Sequence, residues 1–211
     1  MHPEIQDWSI VVAGQWNTAI FSPQWVGQRL KDLFECRHIQ VEFAAGQRGT
    51  QIKLSTDQFS VIPEQSALVV AMKRIDDESL QRAERLIDDI LTLLPHTPVR
   101  AFGINFAFSD STLSPEMANL FRLGDSELLA EKDYKQTSLS IERSLDFGDA
   151  KLNVTLTTSD ENPIFIRLNF HHDVNDASEA CSRLRGRILV HKAKGLIFLQ
   201  EIYGLTLKET P

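Results

Sequence analysis

Alternating apolar and polar residues predict strands in two regions of the chain. Residues 8–13 are rich in β-branched side chains and stop at Gly14, which predicts a first strand. Four runs between residues 38 and 72, joined by short turns, predict an antiparallel meander. Residues 138–144, 151–157 and 164–170 predict a second meander of three strands.

Helical spacing of apolar residues predicts two long helices. Acidic residues open a helix over residues 76–94, and Pro95 ends it. Asn175 and Asp176 cap the last helix, which keeps its spacing to residue 190 and which we expect to continue to about Tyr203. Both helices carry an apolar face that fits against a sheet.

Two Ser-Pro pairs predict shorter helices. A serine hydroxyl caps free amide groups, and proline is tolerated at the first helical position. Ser22 and Pro23 therefore open a helix to about Glu35, and Ser114 and Pro115 open another. Near the first of these, we expect the aromatic side chains to pack the first strand onto the first helix as one cluster: Trp8, Trp16, Phe21 and Trp25.

Residues 98–109 predict a long strand with two unlike faces. One face is large and apolar, with Phe102, Ile104, Phe106 and Phe108. The other is small, with Ala101, Gly103, Asn105 and Ala107. Glycine weakens a strand unless its space is used, so the small face either lies in water or lets another backbone approach closely.

Together these elements predict an α+β fold, an antiparallel sheet with two long amphipathic helices on one face. We place an N-terminal half at residues 1–123, a polar connector at 124–136 and a C-terminal half at 137–211, or one continuous domain. The tripeptide Ile104-Asn105-Phe106 resembles Leu168-Asn169-Phe170, which suggests similar halves. However, the order of elements differs between halves divided in this way, so duplication is the less favoured interpretation.

The charge balance narrows the classes of partner. The chain has 22 Lys and Arg against 29 Asp and Glu, a formal charge of −7, which disfavours nucleic acid and anionic membranes. No apolar run approaches the roughly 20 residues that span a bilayer, and no secretory signal opens the chain. We expect a soluble cytoplasmic protein with two free thiols, Cys36 and Cys181.

Polar residues on the strand at 164–170 form the candidate ligand-binding site. Arg167, Asn169 and His171 share the face opposite Ile166, Leu168 and Phe170. If this strand neighbours the strand that carries Asn105, the four polar residues form one patch. A small ligand or a partner protein is one interpretation, and a solvated sheet face is the other.

The string Phe170-His171-His172-Asp173 has groups for proton transfer or metal binding. Adjacent strand residues point to opposite faces, so the two histidines cannot share an ion within a strand. No third ligand has metal-like spacing, and nucleophile-elbow, P-loop and dinucleotide motifs are missing. We therefore expect both histidines to lie at a strand end, at the rim of the sheet, and we predict no metal, no cofactor and no identifiable catalytic residue.

The last helix carries a basic stretch, with Arg183, Arg185, Arg187, His191, Lys192 and Lys194. The helix at 76–94 carries acidic residues, with Glu78, Glu84, Asp88 and Asp89. The two surfaces can meet within one chain or between two copies. Because no aromatic residues for base stacking are interleaved with the basic stretch, nucleic acid is disfavoured as its partner.

These patterns predict a non-catalytic interaction or assembly module, a homo-oligomer or the binder of a partner protein. The grounds are the missing catalytic motifs, the small-residue strand face and the helices of opposite charge. An enzyme or small-ligand binder using the Arg167, Asn169 and His171 face is the alternative. A nucleic-acid role through the stretch at 183–194 comes third.

Overall fold

A computed structural model of the chain describes residues 1–30, 39–46, 49–160 and 163–208. Within these ranges the strands are β1 (His2–Pro3), β2 (Ser9–Gly14), β3 (Gln40–Gly46), β4 (Gly49–Ser55), β5 (Phe59–Pro63), β6 (Ala67–Met72), β7 (Val99–Asp110), β8 (Ser138–Phe147), β9 (Ala150–Ser159) and β10 (Ile164–Asp173). They form one antiparallel sheet in the order β3-β4-β5-β6-β2-β7-β10-β9-β8, with β1 beside the end of β7.

The α-helices of the described chain are α1 (Pro23–Trp25), α2 (Asp77–Leu93), α3 (Pro115–Leu120), α4 (Ser126–Glu131), α5 (Ala177–Leu184) and α6 (Arg187–Tyr203). The predicted caps Ser22, Ser114 and Asp176 are confirmed, and Asp76 caps α2 in the same way. Ser22, Asp76, Ser114 and Asp176 each accept a hydrogen bond from the backbone N–H three residues later. None of the described helices is both long and apolar enough to cross a membrane.

Helices α2, α5 and α6 lie on one face of the sheet, as the predicted α+β fold requires. Helix α2 contacts β6, while α5 and α6 contact the central strand β7. Helix α6 approaches the sheet most closely at Gly195, where an added Cβ atom would lie 3.0 Å from Leu168 Cδ1. The core forms between these layers and includes the aromatic face of β7, with Phe102, Ile104, Phe106 and Phe108 all buried.

The order of elements repeats when the chain is divided between α2 and β7. Each unit has a strand, a helix opened by Ser-Pro, a meander whose last strand pairs with the first strand, and a long helical segment. The two similar tripeptides are not equivalent positions in this repeat. Asn105 on β7 and Asn169 on β10 face each other directly within the second unit.

The sheet runs without interruption through the predicted halves, because β7 pairs with β2 on one side and with β10 on the other. The predicted connector at 124–136 contains α4 and leads into β8. Whether the predicted halves fold separately stays a prediction.

The last helix continues to Tyr203, as predicted, but it is not one helix. It breaks at Gly186, whose φ of 71° is a left-handed conformation that glycine adopts without strain. The prediction of a single helix from residue 177 is therefore wrong. Glu84 on α2 stabilises the break, because its carboxylate accepts hydrogen bonds from the N–H groups of Gly186 and Ile188, the latter at 2.8 Å.

The prediction of one aromatic cluster is wrong for Trp8. Phe21 contacts Trp16 and Trp25, with ring centroids 6.4 and 5.4 Å apart. Trp8 instead packs edge-on against Phe106 on β7, at 4.9 Å. The indole of Trp8 donates to the Ala107 carbonyl oxygen, a partner almost a hundred residues away, so proximity in sequence gave no signal for this contact.

Some predictions fall on residues outside the described ranges. They are the end of the first helix near Glu35, the start of the first meander at His38 and the state of Cys36. Helix α1 itself is a single turn that passes into a π-helical turn at Val26–Leu30. Cys181 is a free thiol and is partly buried.

Replacing Glu84 tests whether α2 holds the start of α6. In Glu84→Ala, the buried N–H of Ile188 and the partly buried N–H of Gly186 lose a charged acceptor, so we expect the free energy of unfolding in urea to fall by about 2–3 kcal/mol. Glu78→Ala on the same helix is the control. It removes only an exposed ion pair with Arg82, which is worth about 0.5 kcal/mol. Equal losses in the two variants would contradict this role for Glu84.

Candidate functional site

The four predicted site residues lie on the face of the sheet that the helices leave open. Asn105 projects from β7, and Arg167, Asn169 and His171 project from β10. In the antiparallel register, Asn169 faces Asn105 on one side and Asn153 of β9 on the other. Because residues directly opposite each other share a face, the conditional prediction of one polar patch is confirmed as geometry.

Asn105 and Asn169 belong to a hydrogen-bonded row of side chains that crosses five strands. Asn169 donates to Asn105 at 2.7 Å, and Asn105 donates to Ser9 on β2 at 3.1 Å. On the other side, Asn153 donates to Asn169 at 3.0 Å, and Ser144 on β8 donates to Asn153 at 2.8 Å. We call these five residues the amide row.

The amide row explains the small residues on β7. A Cβ atom added to Gly103 would lie 2.6 Å from Asn169 Nδ2, so the side chain of Asn169 occupies the space above this glycine. The prediction that this face lies in water or admits another backbone is wrong here, because Gly103 and Ala107 are buried and the space at Gly103 is taken by a side chain. Glycine in a central strand is thereby accounted for.

Arg167 and His171 flank the amide row on either side. The Arg167 guanidinium lies over the Phe165 ring at 4.9 Å and 3.8 Å from an Asp7 oxygen. His171 Nε2 lies 3.1 Å from Asp173 Oδ1. The hydrogen bond from His171, followed by the Lys151 ammonium, lowers the pKa of the exposed Asp173 carboxyl. The predicted residues therefore lie close together, but each already has a partner.

This arrangement suits binding by hydrogen bonds better than catalysis. Carboxamides neither titrate nor act as nucleophiles, and every amide in the row uses one donor and one acceptor on its neighbours. Each retains a second N–H and a second lone pair. Among the described residues, no group of three or more His, Cys, Asp or Glu side chains is placed to hold a metal ion.

A buried histidine pair lies on the opposite face of β10. His172 Nε2 is 2.9 Å from His191 Nε2 on α6, and neither Nδ1 atom has a hydrogen-bond partner within the described chain. The rings stack on Phe102 and Phe170 with centroids 4.4 Å apart. Burial lowers the pKa of both histidines, and for His191 the pKa falls to about 4.

Sequence reasoning placed His172 and His171 on opposite faces, which is confirmed, but it put both at the rim of the sheet. That placement is wrong for His172, which is 1% exposed. The partner, His191, was assigned to a basic surface stretch and is in fact fully buried. A histidine spaced with Ile188 and Gly195 on the inner side of a helix was the available signal.

A groove of about 770 Å³ also escaped the sequence reasoning. It lies between α3, the end of α6 and β8, and Asp110 is buried at its base. Asp110 contacts the Met1 α-amino group and Lys208 Nζ, both at 2.8 Å. Burial alone would raise the pKa of Asp110, but hydrogen bonds from Lys208, Met1 and Thr112 hold it well below its usual range. Because Met1 and Lys208 are far from Asp110 in the sequence, no local pattern predicts that they contact it.

The basic stretch contacts acidic groups of the same chain. The ion pairs, 2.7 to 2.9 Å long, join Arg183 to Glu179, Arg185 to Asp88, Arg187 to Asp149, and Lys192 to Asp77. Asp77 and Asp88 belong to α2. Of the two predicted arrangements, the described chain contains the intramolecular one, so opposite helix charge gives no support to association between copies.

Comparison with known proteins adds no identification. The chain matches no protein-family model, and no curated protein sequence matches it.

A Gly103→Ala substitution tests the fit within the amide row. The new methyl group would displace Asn169, and we expect the free energy of unfolding to fall by about 1–3 kcal/mol in urea denaturation. Gly124→Ala is the control, because an added Cβ there meets nothing within 4 Å. Combining Gly103→Ala with Asn169→Ala should recover part of the loss. No recovery would show that the clash is not with Asn169.

Stability should depend on pH through the buried histidine pair. Below the unfolded-state pKa of about 6.5 the unfolded chain binds protons that the folded chain excludes, so stability falls as the pH falls and levels off near 4. We expect up to about 1.4 kcal/mol per pH unit for each histidine, measured by urea denaturation. A double variant, His172→Gln with His191→Gln, should flatten this slope relative to the control His171→Gln. An unchanged slope in the double variant would rule the pair out as its source.

Proposed function

We propose that this chain is a non-catalytic interaction module that self-associates. The observation that carries the proposal is the outer side of α6. Val190 and Ile197 lie there with 40% and 53% of their surfaces exposed. A surface helix normally has polar residues on its outer side, and a helix that is apolar all round is normally covered by another element.

Helix α2 provides a comparison within the same layer. Its exposed positions before the last residue are polar, including Glu78, Gln81 and Arg85, and its one exposed large apolar side chain is Leu93 at its C-terminal end. Helix α6 instead buries His191 and Gly195 and exposes branched apolar side chains. This difference between two helices of equal length supports a covering partner for α6.

A small ligand on the open sheet face is the alternative function. The second N–H and lone pair of each carboxamide in the amide row favour it, since they can bind a polar molecule. The internal hydrogen bonds of the row weigh against it, because the row is already stabilised without a ligand. An enzymatic function has less support still, since no described residue of the open face is an activated nucleophile.

A nucleic-acid function has the least support. Four of the basic residues at 183–194 are in ion pairs with carboxylates of the same chain. A phosphate backbone would have to displace these partners, and the net charge of −7 opposes its approach.

Sedimentation velocity over a series of increasing chain concentrations tests the proposal. We expect the weight-average mass to rise from that of one chain toward that of two, because self-association follows mass action. A chain that stayed monomeric throughout the micromolar range would refute self-association. A polar metabolite that raised the melting temperature of such a monomer would then favour the small-ligand alternative.

A further inference from the structure

We infer that two copies pair through the outer side of α6, antiparallel to each other, about a two-fold axis that passes near Ile197. This inference rests on the proposed self-association and adds the surface, the orientation and the contacts. It follows from the position of each residue around the helix, from exposure and from charge.

The outer side of α6 is a continuous stripe. With 100° of rotation per residue, Val190 lies about 20° from Ile197, and Ala193 and Glu201 lie about 40° from it on opposite sides. Lys194 lies about 60° away, on the same side as Glu201. All five side chains are exposed. The buried positions, His191, Gly195 and Leu199, lie on the far side of the helix.

The charges on this stripe are self-complementary. Lys194 precedes Ile197 by three residues, and Glu201 follows it by four. The two-fold axis is perpendicular to both helices of the antiparallel pair. It reverses the position of each residue along the helix axis and leaves the residue on the same lateral side of the interface. Lys194 would therefore face the partner's Glu201, and the same pair would recur on the other side of the axis.

The uncharged positions match in the same register. Ile197 would face the partner's Ile197 on the axis, and Ala193 would face the partner's Gln200. Val190 would reach the partner's Gly204, which has no side chain to obstruct it. The alternative occupant is a different protein, and nothing in such a protein would require opposite charges on either side of Ile197, three residues before it and four after it.

Both charged groups are available for this contact. Neither Lys194 nor Glu201 forms an ion pair within the described chain. Lys194 Nζ lies 5.7 Å from the centre of the Phe147 ring, which leaves its ammonium group partly in water. A salt bridge to a second copy adds specificity and orientation to the apolar contact at Ile197.

Charge reversal tests the inference. In Lys194→Glu, two glutamates of one copy face two of the other, and in Glu201→Lys, lysines face lysines. Each single variant should dissociate on the order of tenfold more readily than the wild type in sedimentation velocity. The double variant, Lys194→Glu with Glu201→Lys, restores both pairs and should associate like the wild type.

Mixing the two single variants is a more specific test than the double variant. In the mixed dimer every facing pair is again opposite in charge, so a one-to-one mixture should associate more tightly than either variant alone. Ile197→Glu should abolish association, and Leu128→Glu, on α4 with 57% exposure, should leave it unchanged. Circular dichroism and the melting temperature of every variant would verify that it is folded.

The outcomes separate this inference from the function on which it rests. A monomeric wild type would refute the proposed self-association itself. A wild type that associates, with Lys194→Glu and Ile197→Glu associating equally well, would refute the α6 interface alone. Weak single variants that neither the double substitution nor mixing restores would refute the antiparallel register.

Discussion

Strand β7 is buried on both faces. The helix layer on one side of it and the amide row on the other both depend on this burial. Toward the helices it presents Phe102, Ile104, Phe106 and Phe108, which fill the space beneath α5 and α6. Toward the open face it presents small residues, and neighbouring side chains close over them. Asn169 extends across Gly103 to reach Asn105, so the amide row exists because β7 leaves room for it. A strand with large side chains on both faces would keep the sheet but lose this row.

The helix layer is held together partly by charge, and that charge is used inside the chain. Glu84 satisfies the free N–H groups at the start of α6, and Asp88 binds Arg185 just before the break. The helix can therefore change direction at Gly186 without leaving buried amides unpaired. Since the acidic and basic helices bind each other in one molecule, long-range attraction between copies is reduced. Any association then depends on apolar area and local charge pairs.

Periodicity predicted most elements and the layer to which each belongs, because burial on one face repeats every 2.0 residues in a strand and every 3.6 in a helix. It also placed Arg167, Asn169 and His171 on one face. The pairing of Asn105 with Asn169 depends on the strand order, which could be stated from the sequence only as a condition.

The features that sequence reasoning missed depend on contacts across the chain. Trp8 bonds to position 107, His172 to His191, and Asp110 to Lys208. The similar tripeptides were a misleading signal, since they lie on facing strands that are not equivalent in the repeat of elements. The break at Gly186 had a local signal, a glycine within a helical pattern, but its cause is Glu84, on another helix.

Helix α6 links the structure of one chain to the proposed assembly. Its inner side is determined by the sheet: Gly195 allows Leu168 to approach, and His191 stacks on Phe170. Its outer side carries Val190 and Ile197, which are exposed although branched apolar residues are favoured by burial. Polar residues there would make an isolated chain no less stable and would keep it from associating. The fold of one chain thus accounts for the inner residues of α6, and the proposed second copy in the antiparallel register would account for the outer ones.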